Sequence, residues 1–186
     1  MLLRSARFLT VCIAALVVSA CATSPTLSGA VNDIGTDAEL KALLVADRKH
    51  DYSDVDLTVY EGRLLLTGTM ASEEGHRQLV LNAWKADGVD QVIDEIKIGD
   101  DTSVGEGFDD ARIDQAIRTK YIASGGVRSG NYKIAVSQKV VYLLGVARDQ
   151  QELNVALKKA SETSGVRSVV SHVILRTFPE PQARGR

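Results

Sequence analysis

The chain has 186 residues, 45% of them hydrophobic and 25% charged, with a formal net charge of −2 at pH 7. Its two cysteines, Cys12 and Cys21, exclude a disulfide-built scaffold once the first leaves with the export signal described below, so stability has to come from packed cores. About 165 residues then remain, enough for one ordinary domain or two small ones, and their net charge is −4, because residues 1–20 carry two arginines and no acids.

The chain opens with Arg4 and Arg7 ahead of an apolar run from Phe8 to Val18. That run is shorter than the roughly 20 residues that span a bilayer, and it has the layout of a signal peptide. Val18-Ser19-Ala20-Cys21 resembles the lipobox of bacterial lipoproteins, in which small residues precede the cysteine that becomes the acylated N-terminus. The resemblance implies a signal peptide over 1–20 and lipid attachment at Cys21. At about 0.8 kcal/mol per buried methylene, several acyl chains would hold the mature chain at a membrane without a spanning helix.

Residues 21–35 read as a flexible tether, after which Thr36-x-x-Glu39 has the form of a capping box opening a helix with Leu40, Leu43 and Leu44 on one stripe. The helix is predicted to end near Asp47. Val55, Leu57 and Val59 then alternate with polar residues, Glu61-Gly62 makes a turn, and Arg63–Met70 returns as a more apolar strand. Ser72 caps a second helix reaching about Ala86, with Leu79, Val80, Ala83 and Trp84 predicted to face inward, and Gly88 closes it before a strand over Gln91–Ile98.

Shifting the sequence by 77 positions lays "DLTVYEGRLLLTGTM" on "KIAVSQKVVYLLGVA" and "GVDQVIDEIKI" on "GVRSVVSHVIL" without a gap. Gly68 meets Gly145 and Gly88 meets Gly165, so the chain contains one unit twice. In the second copy Ile113, Ile117 and Tyr121 mark the first helix, Tyr132, Ile134 and Val136 the first strand, and Val140–Val146 the next. Asp149-x-x-Glu152 caps a helix bearing Leu153, Ala156, Leu157 and Ala160, and Ser168–Leu175 is the last strand.

The expected fold class is therefore α+β: two tandem αββαβ units, each a three-stranded mixed sheet with two helices covering one face and solvent on the other. The boundaries are a first unit over 36–98, an acidic glycine-containing linker over 99–108, a second unit over 109–176 and a frayed tail over 177–186.

The glycines Gly68 and Gly145, with the "GVxxV" elements Gly88-Val89-x-x-Val92 and Gly165-Val166-x-x-Val169, give each unit the look of a BON domain. A lipobox followed by two such units resembles the dual-BON outer-membrane lipoproteins. That resemblance implies a non-enzymatic protein on the periplasmic side of the outer membrane that binds anionic phospholipid and supports envelope integrity. Ala22, not aspartate, after Cys21 agrees with outer-membrane sorting by the enteric rule.

Charge separates the two units. Residues 37–98 carry seven Lys or Arg against thirteen Asp or Glu, a net of −6, whereas residues 109–176 carry eleven against six, a net of +5. The basic unit would be drawn to anionic headgroups by up to about 1 kcal/mol per basic residue near the surface. Its first helix supplies a surface: with Ile117 toward the core, Ile113 and Tyr121 fall within about 40° of it. Phe108, Ala111, Arg112, Gln115, Thr119 and Ile122 fall opposite, flanked by Arg118.

Phe108, Arg112, Arg118 and Ile122 are the candidate phospholipid-contacting residues, rings and alkyl groups entering the headgroup boundary while guanidinium groups pair with phosphate. The family resemblance implies the same helix, but with an outward aromatic where Arg112 stands here. Other readings stay open: Phe108 and Ile122 pack against the first unit, the arginines are a solvated helix face, or Phe108 is only linker. The acidic first unit, with Ala38, Lys41 and Val45 on the matching helix face, is the alternative binding element, for an envelope protein partner.

His50, His76 and His172 stand far apart without i, i+4 pairing, so no metal site is expected. No P-loop or G-x-S-x-G elbow occurs, and "SGGVRSG" reads as a helix-to-strand turn. No catalytic residue, cofactor or nucleic-acid partner is expected, and nothing in the pattern sets an oligomeric state.

Overall fold

The computed structural model of the protein describes residues 27–99 and 104–176. The signal peptide, Cys21, residues 100–103 and the tail from 177 onward lie outside the described residues. The first copy runs α1 (Leu27–Ala46), β1 (Val55–Tyr60), β2 (Arg63–Met70), α2 (Glu73–Ala83) and β3 (Gln91–Ile98). The second runs α3 (Val104–Ala123), a short 3-10 turn, β4 (Tyr132–Ser137), β5 (Val140–Ala147), α4 (Gln150–Ser161) and β6 (Ser168–Leu175). In each copy the hairpin pairs antiparallel and the third strand lies parallel to the second, in the order β1-β2-β3 and β4-β5-β6, so both sheets are mixed.

The predicted caps of α2 and α4 form. Ser72 accepts the Gly75 N–H at 3.2 Å and Asp149 accepts the Glu152 N–H at 2.8 Å, each satisfying a donor that the first helical turn leaves open.

The start of the first unit differs from the sequence reading. Helix α1 begins at Leu27, so Thr36 and Glu39 lie inside it and residues 27–35 of the expected tether are helical. The Thr-x-x-Glu pair instead binds the loop after α2. Thr36 Oγ1 donates to the Asp87 carbonyl at 2.6 Å, and the Glu39 carboxylate accepts the Asp87 N–H at 3.1 Å. Asp33, also placed in the tether by sequence, accepts the N–H groups of Glu61 and Gly62 at 2.8 and 3.1 Å, where the β1–β2 turn takes positive φ. Its counterpart 77 positions on, Asp110, does the same for Gln138 and Lys139 at 2.7 and 2.8 Å. The expected linker likewise ends early, because α3 starts at Val104 and makes Phe108 a helical residue.

Asp33→Ala should therefore lower stability by about 1.5–3 kcal/mol, the range for hydrogen bonds to a charged acceptor. Urea denaturation of the chain from residue 22 onward measures it, and an unchanged midpoint would return residues 27–35 to the role of tether.

The larger difference concerns the second face of each sheet. The outer faces are covered by the helices, as predicted, with Leu40, Leu44 and Leu79 over the first sheet and Ile113, Ile117 and Tyr121 over the second. The other faces are not left to solvent: Tyr60, Leu65 and Ile93 of the first sheet pack against Ala135, Val140, Tyr142, Leu144 and Val146 of the second. All residues of β5, and β2 from Leu64 onward, are buried, so neither strand shows the strict apolar–polar alternation of a half-exposed strand.

Polar contacts border this seam. His172 Nε2 meets Glu95 Oε1 at 2.8 Å, and these two residues are equivalent positions of the repeat. Arg176 pairs with Glu61 at 2.7 Å, and Lys97 donates to Gln138, the counterpart of Glu61, at 3.1 Å. Arg63, its guanidinium pKa pulled down mainly by burial, donates to the His172 carbonyl at 2.7 Å. The apolar seam outweighs the exposed ion pairs, because a fully buried Leu or Val contributes about 1.5–3 kcal/mol and a surface pair about 0–1 kcal/mol.

Candidate functional site

The period of α3 divides it into two faces. Ile113, Ile117 and Tyr121 are buried, and the Tyr121 hydroxyl donates to the Ala156 carbonyl at 2.9 Å. The stretch between Phe108 and Ile122 is fastened at two points, by Asp110 to the β4–β5 turn and by Lys120, whose ammonium donates to the Glu162 carbonyl and to Thr163 Oγ1 at 3.1 and 2.8 Å. The opposite face is thereby held in place on a rigid element.

On that face Phe108 and Ile122 are each 76% exposed, so neither packs against the first unit. Fourteen residues separate them, about 21 Å along the axis at 1.5 Å per residue. Ala111, Gln115 and Thr119, also exposed, complete the stripe between them. The two arginines differ in their surroundings. Arg112 has 84% of its side chain exposed and only a long contact, 3.9 Å, with Asp109. Arg118 is engaged: Nε donates to Asp114 Oδ2 at 2.7 Å and Nη2 to the Ile134 carbonyl at 3.1 Å, bracing α3 against β4.

The matching face of α1 is poorer. Val45 is exposed at the position equivalent to Ile122, but Gly35 stands where the second copy has Arg112, and Lys41 is paired with Asp37 at 2.8 Å. The first unit instead exposes Leu81 and Trp84 on α2. Trp84 was predicted to face inward, yet it is 54% exposed, because it sits at the C-terminal cap of α2, past the point where Leu79 and Ala83 enter the core. The available signal was the second copy, where the equivalent position is the exposed Ser161.

Beside α3, between the outer strands of the two sheets, lies a cleft of about 630 Å³ lined by Asp54, Asp56, Asp110, Asp114, Arg118 and Ile134 among others. Burial raises the pKa of the Asp56 carboxyl; Lys41 opposes the shift and Asp110 adds to it. Asp114 Oδ1 is buried with no hydrogen-bond partner among the described residues. Neither the cleft nor its carboxylates were picked out from sequence, since they come from segments distant in the chain.

The three histidines do not converge. His50 pairs with Asp47, His76 with Asp94 and His172 with Glu95, at 2.8, 2.7 and 2.8 Å. The hydrogen bond from His50 is the largest influence holding the Asp47 carboxyl down to about 2, followed by those from the Lys49 N–H and the Tyr52 hydroxyl. Among the described residues no group of three or more His, Cys, Asp or Glu could hold a metal ion, and no helix is long and apolar enough to cross a membrane.

Comparison with known proteins agrees with the repeat. Residues 26–100 and 109–177 each match the family model of the BON domain. An uncharacterized protein in the gshII 5′ region of Anaplasma centrale is 35% identical over 126 residues, spanning 67% of this chain and 83% of its own length. A 21 kDa hemolysin of Actinobacillus pleuropneumoniae is 27% identical over 141 residues, 74% of this chain and 66% of that one. The outer membrane lipoprotein DolP of Haemophilus influenzae is 26% identical over 139 residues, 75% of this chain and 67% of that one. Among solved structures, the C-terminal domain of CdsD, a type III secretion protein of Chlamydia trachomatis, is similar at 16% identity and a TM-score of 0.32, over 77% of this chain and 67% of that one, which is too distant to carry an argument. Two family matches that together span most of the sequence, each on an αββαβ unit with the same strand order, establish that the chain belongs to the BON-domain family, as a tandem pair of modules.

Proposed function

We propose that the protein is a non-enzymatic envelope lipoprotein, anchored at the outer membrane through acyl chains on Cys21, whose second BON domain docks on anionic phospholipid along the exposed face of α3. The observation that carries this reading is the joint exposure of Phe108 and Ile122 at either side of a helical stretch fastened through Asp110 and Lys120. Net charge of +5 in the second domain against −6 in the first supports it, because headgroup attraction acts on one module and not the other. The similarity to an outer membrane lipoprotein, DolP, supports the location. Membrane integrity is the role such an anchor and contact would serve.

The test is sedimentation of the unacylated chain from residue 22 onward with phosphatidylglycerol vesicles, against phosphatidylcholine as control. Binding should weaken with added salt, and Phe108→Glu with Ile122→Glu should reduce it by about tenfold or more, since each 1.4 kcal/mol of lost apolar transfer is a factor of ten. Arg112→Glu is the clean charge variant, because Arg118→Glu would also break the brace to Asp114 and Ile134. Equal binding to both lipids, or binding untouched by the double substitution, would overturn the reading.

A second reading is favoured by Trp84 and Leu81, exposed on the acidic first domain: a scaffold that holds an envelope protein. Crosslinking in cells that captures one protein through Trp84 and persists in the Phe108/Ile122 variant would support it over lipid docking.

A further inference from the structure

We propose that the cleft between the two modules binds a basic, extended peptide segment of a partner protein, which pairs with a sheet edge while its lysine or arginine side chains meet the cleft carboxylates. The cleft volume of about 630 Å³ lies within the roughly 300–1,000 Å³ typical of ligand sites. Its walls include β1 and β4, the outermost strands of the two sheets, and each has one side unpaired within its own sheet. Such an edge presents the N–H and C=O groups to which an added strand pairs.

The charge of the occupant follows from the lining. Asp54, Asp56, Asp110 and Asp114 face one guanidinium, that of Arg118. The pairing chemistry is already present within the chain: Arg118 lies between the Asp114 carboxylate and the Ile134 carbonyl, a side-chain cation shared by an acid and an edge-strand oxygen. Asp110 is occupied by the backbone of the β4–β5 turn. Asp114 is taken by Arg118 through one oxygen and its other oxygen is buried, which leaves the carboxylates of Asp54 and Asp56, both exposed. The acceptors that remain are suited to ammonium and guanidinium groups arriving on another chain. A metal ion is a poorer match, since no three ligands converge among the described residues.

The cleft shares Ala111 and Arg118 with the lipid-docking face, but neither Phe108 nor Ile122 lines it, so the two inferences can fail separately. The test uses the chain from residue 22 onward, without vesicles, and a fluorescent peptide of four Lys-Val repeats read by anisotropy. The Lys-Val peptide should bind, a Glu-Val peptide of equal length should not, and N-methylation of alternate backbone amides should weaken binding about tenfold. Asp54→Asn with Asp56→Asn should weaken it at least about tenfold with an unchanged melting temperature, whereas Ile122→Glu should leave it intact. Equal binding of the acidic or N-methylated peptide, displacement by spermidine at matched charge concentration, or indifference to the double Asn substitution would each overturn the proposal.

Discussion

Replacing Gly145 with alanine is expected to destabilise the second module by several kcal/mol. Gly145 has φ +147°, and a Cβ there would stand 2.0 Å from the carbonyl oxygen of Asn131. Gly68, its counterpart, has φ +117° and the same conflict with the Asp54 carbonyl at 1.9 Å. Both contacts are to backbone of the segment entering the neighbouring strand, so no side-chain rotation relieves them. Strained dihedrals cost about 1–3 kcal/mol and overpacking another 1–3 kcal/mol, which together approach the 5–15 kcal/mol that stabilises a typical protein.

The consequence extends beyond one sheet. Tyr142, Leu144 and Val146 cover Tyr60, Leu65 and Ile93, so loss of β5 would uncover the inner face of the first module as well. Thermal unfolding followed by circular dichroism should show the midpoint fall by about 10 °C or more, at about 4–8 °C per kcal/mol for a small domain. Gly126→Ala is the control, since a Cβ there meets only Val155 at an ordinary 3.6 Å. If the two variants melt alike, the glycine is not required by the close approach.

Glu152→Ala should cost about 2–6 kcal/mol, because it strips the acceptor from two part-buried backbone donors at about 1–3 kcal/mol each. Glu152 is 1% exposed, and its carboxylate takes the N–H of Arg128 at 2.9 Å and that of Arg148 at 3.2 Å. One side chain thereby joins the loop before β4 to the turn before α4. Glu152→Gln retains an acceptor oxygen and most of the shape, so its cost should be about 1 kcal/mol, the net value of one ordinary hydrogen bond. Chemical denaturation separates the two, and equal losses would assign the effect to packing. The first module has no such joint: the equivalent residue is Gly75, packed beside Met70 and His50. The repeat preserves the cap, with Ser72 matching Asp149, while the buried acid belongs to one copy only.

Much of this was readable from residue order. The repeat, the strand sequence, the caps at Ser72 and Asp149, and the outward stripe of α3 are local regularities, and a local regularity is written in the spacing of apolar and polar residues. The same spacing misplaced Thr36 and Glu39, because the pattern of a capping box does not distinguish a helix's own first turn from a loop 51 residues away that also needs its donors and acceptors filled. It likewise passed over Asp33 and Glu152, whose partners lie in other segments.

The pairing of the two sheets had to be read from the fold. Tyr60, Ile93 and Tyr142 have the composition of an exposed strand face with a few apolar residues, and only a second sheet arriving from the other half of the chain turns that face into a core. That arrival also sets Asp54 and Asp56 of the first module opposite Asp110 and Asp114 of the second. Periodicity along a chain records which residues avoid water, and the surface that shields them is chosen by contacts between segments whose separation leaves no trace in the local pattern.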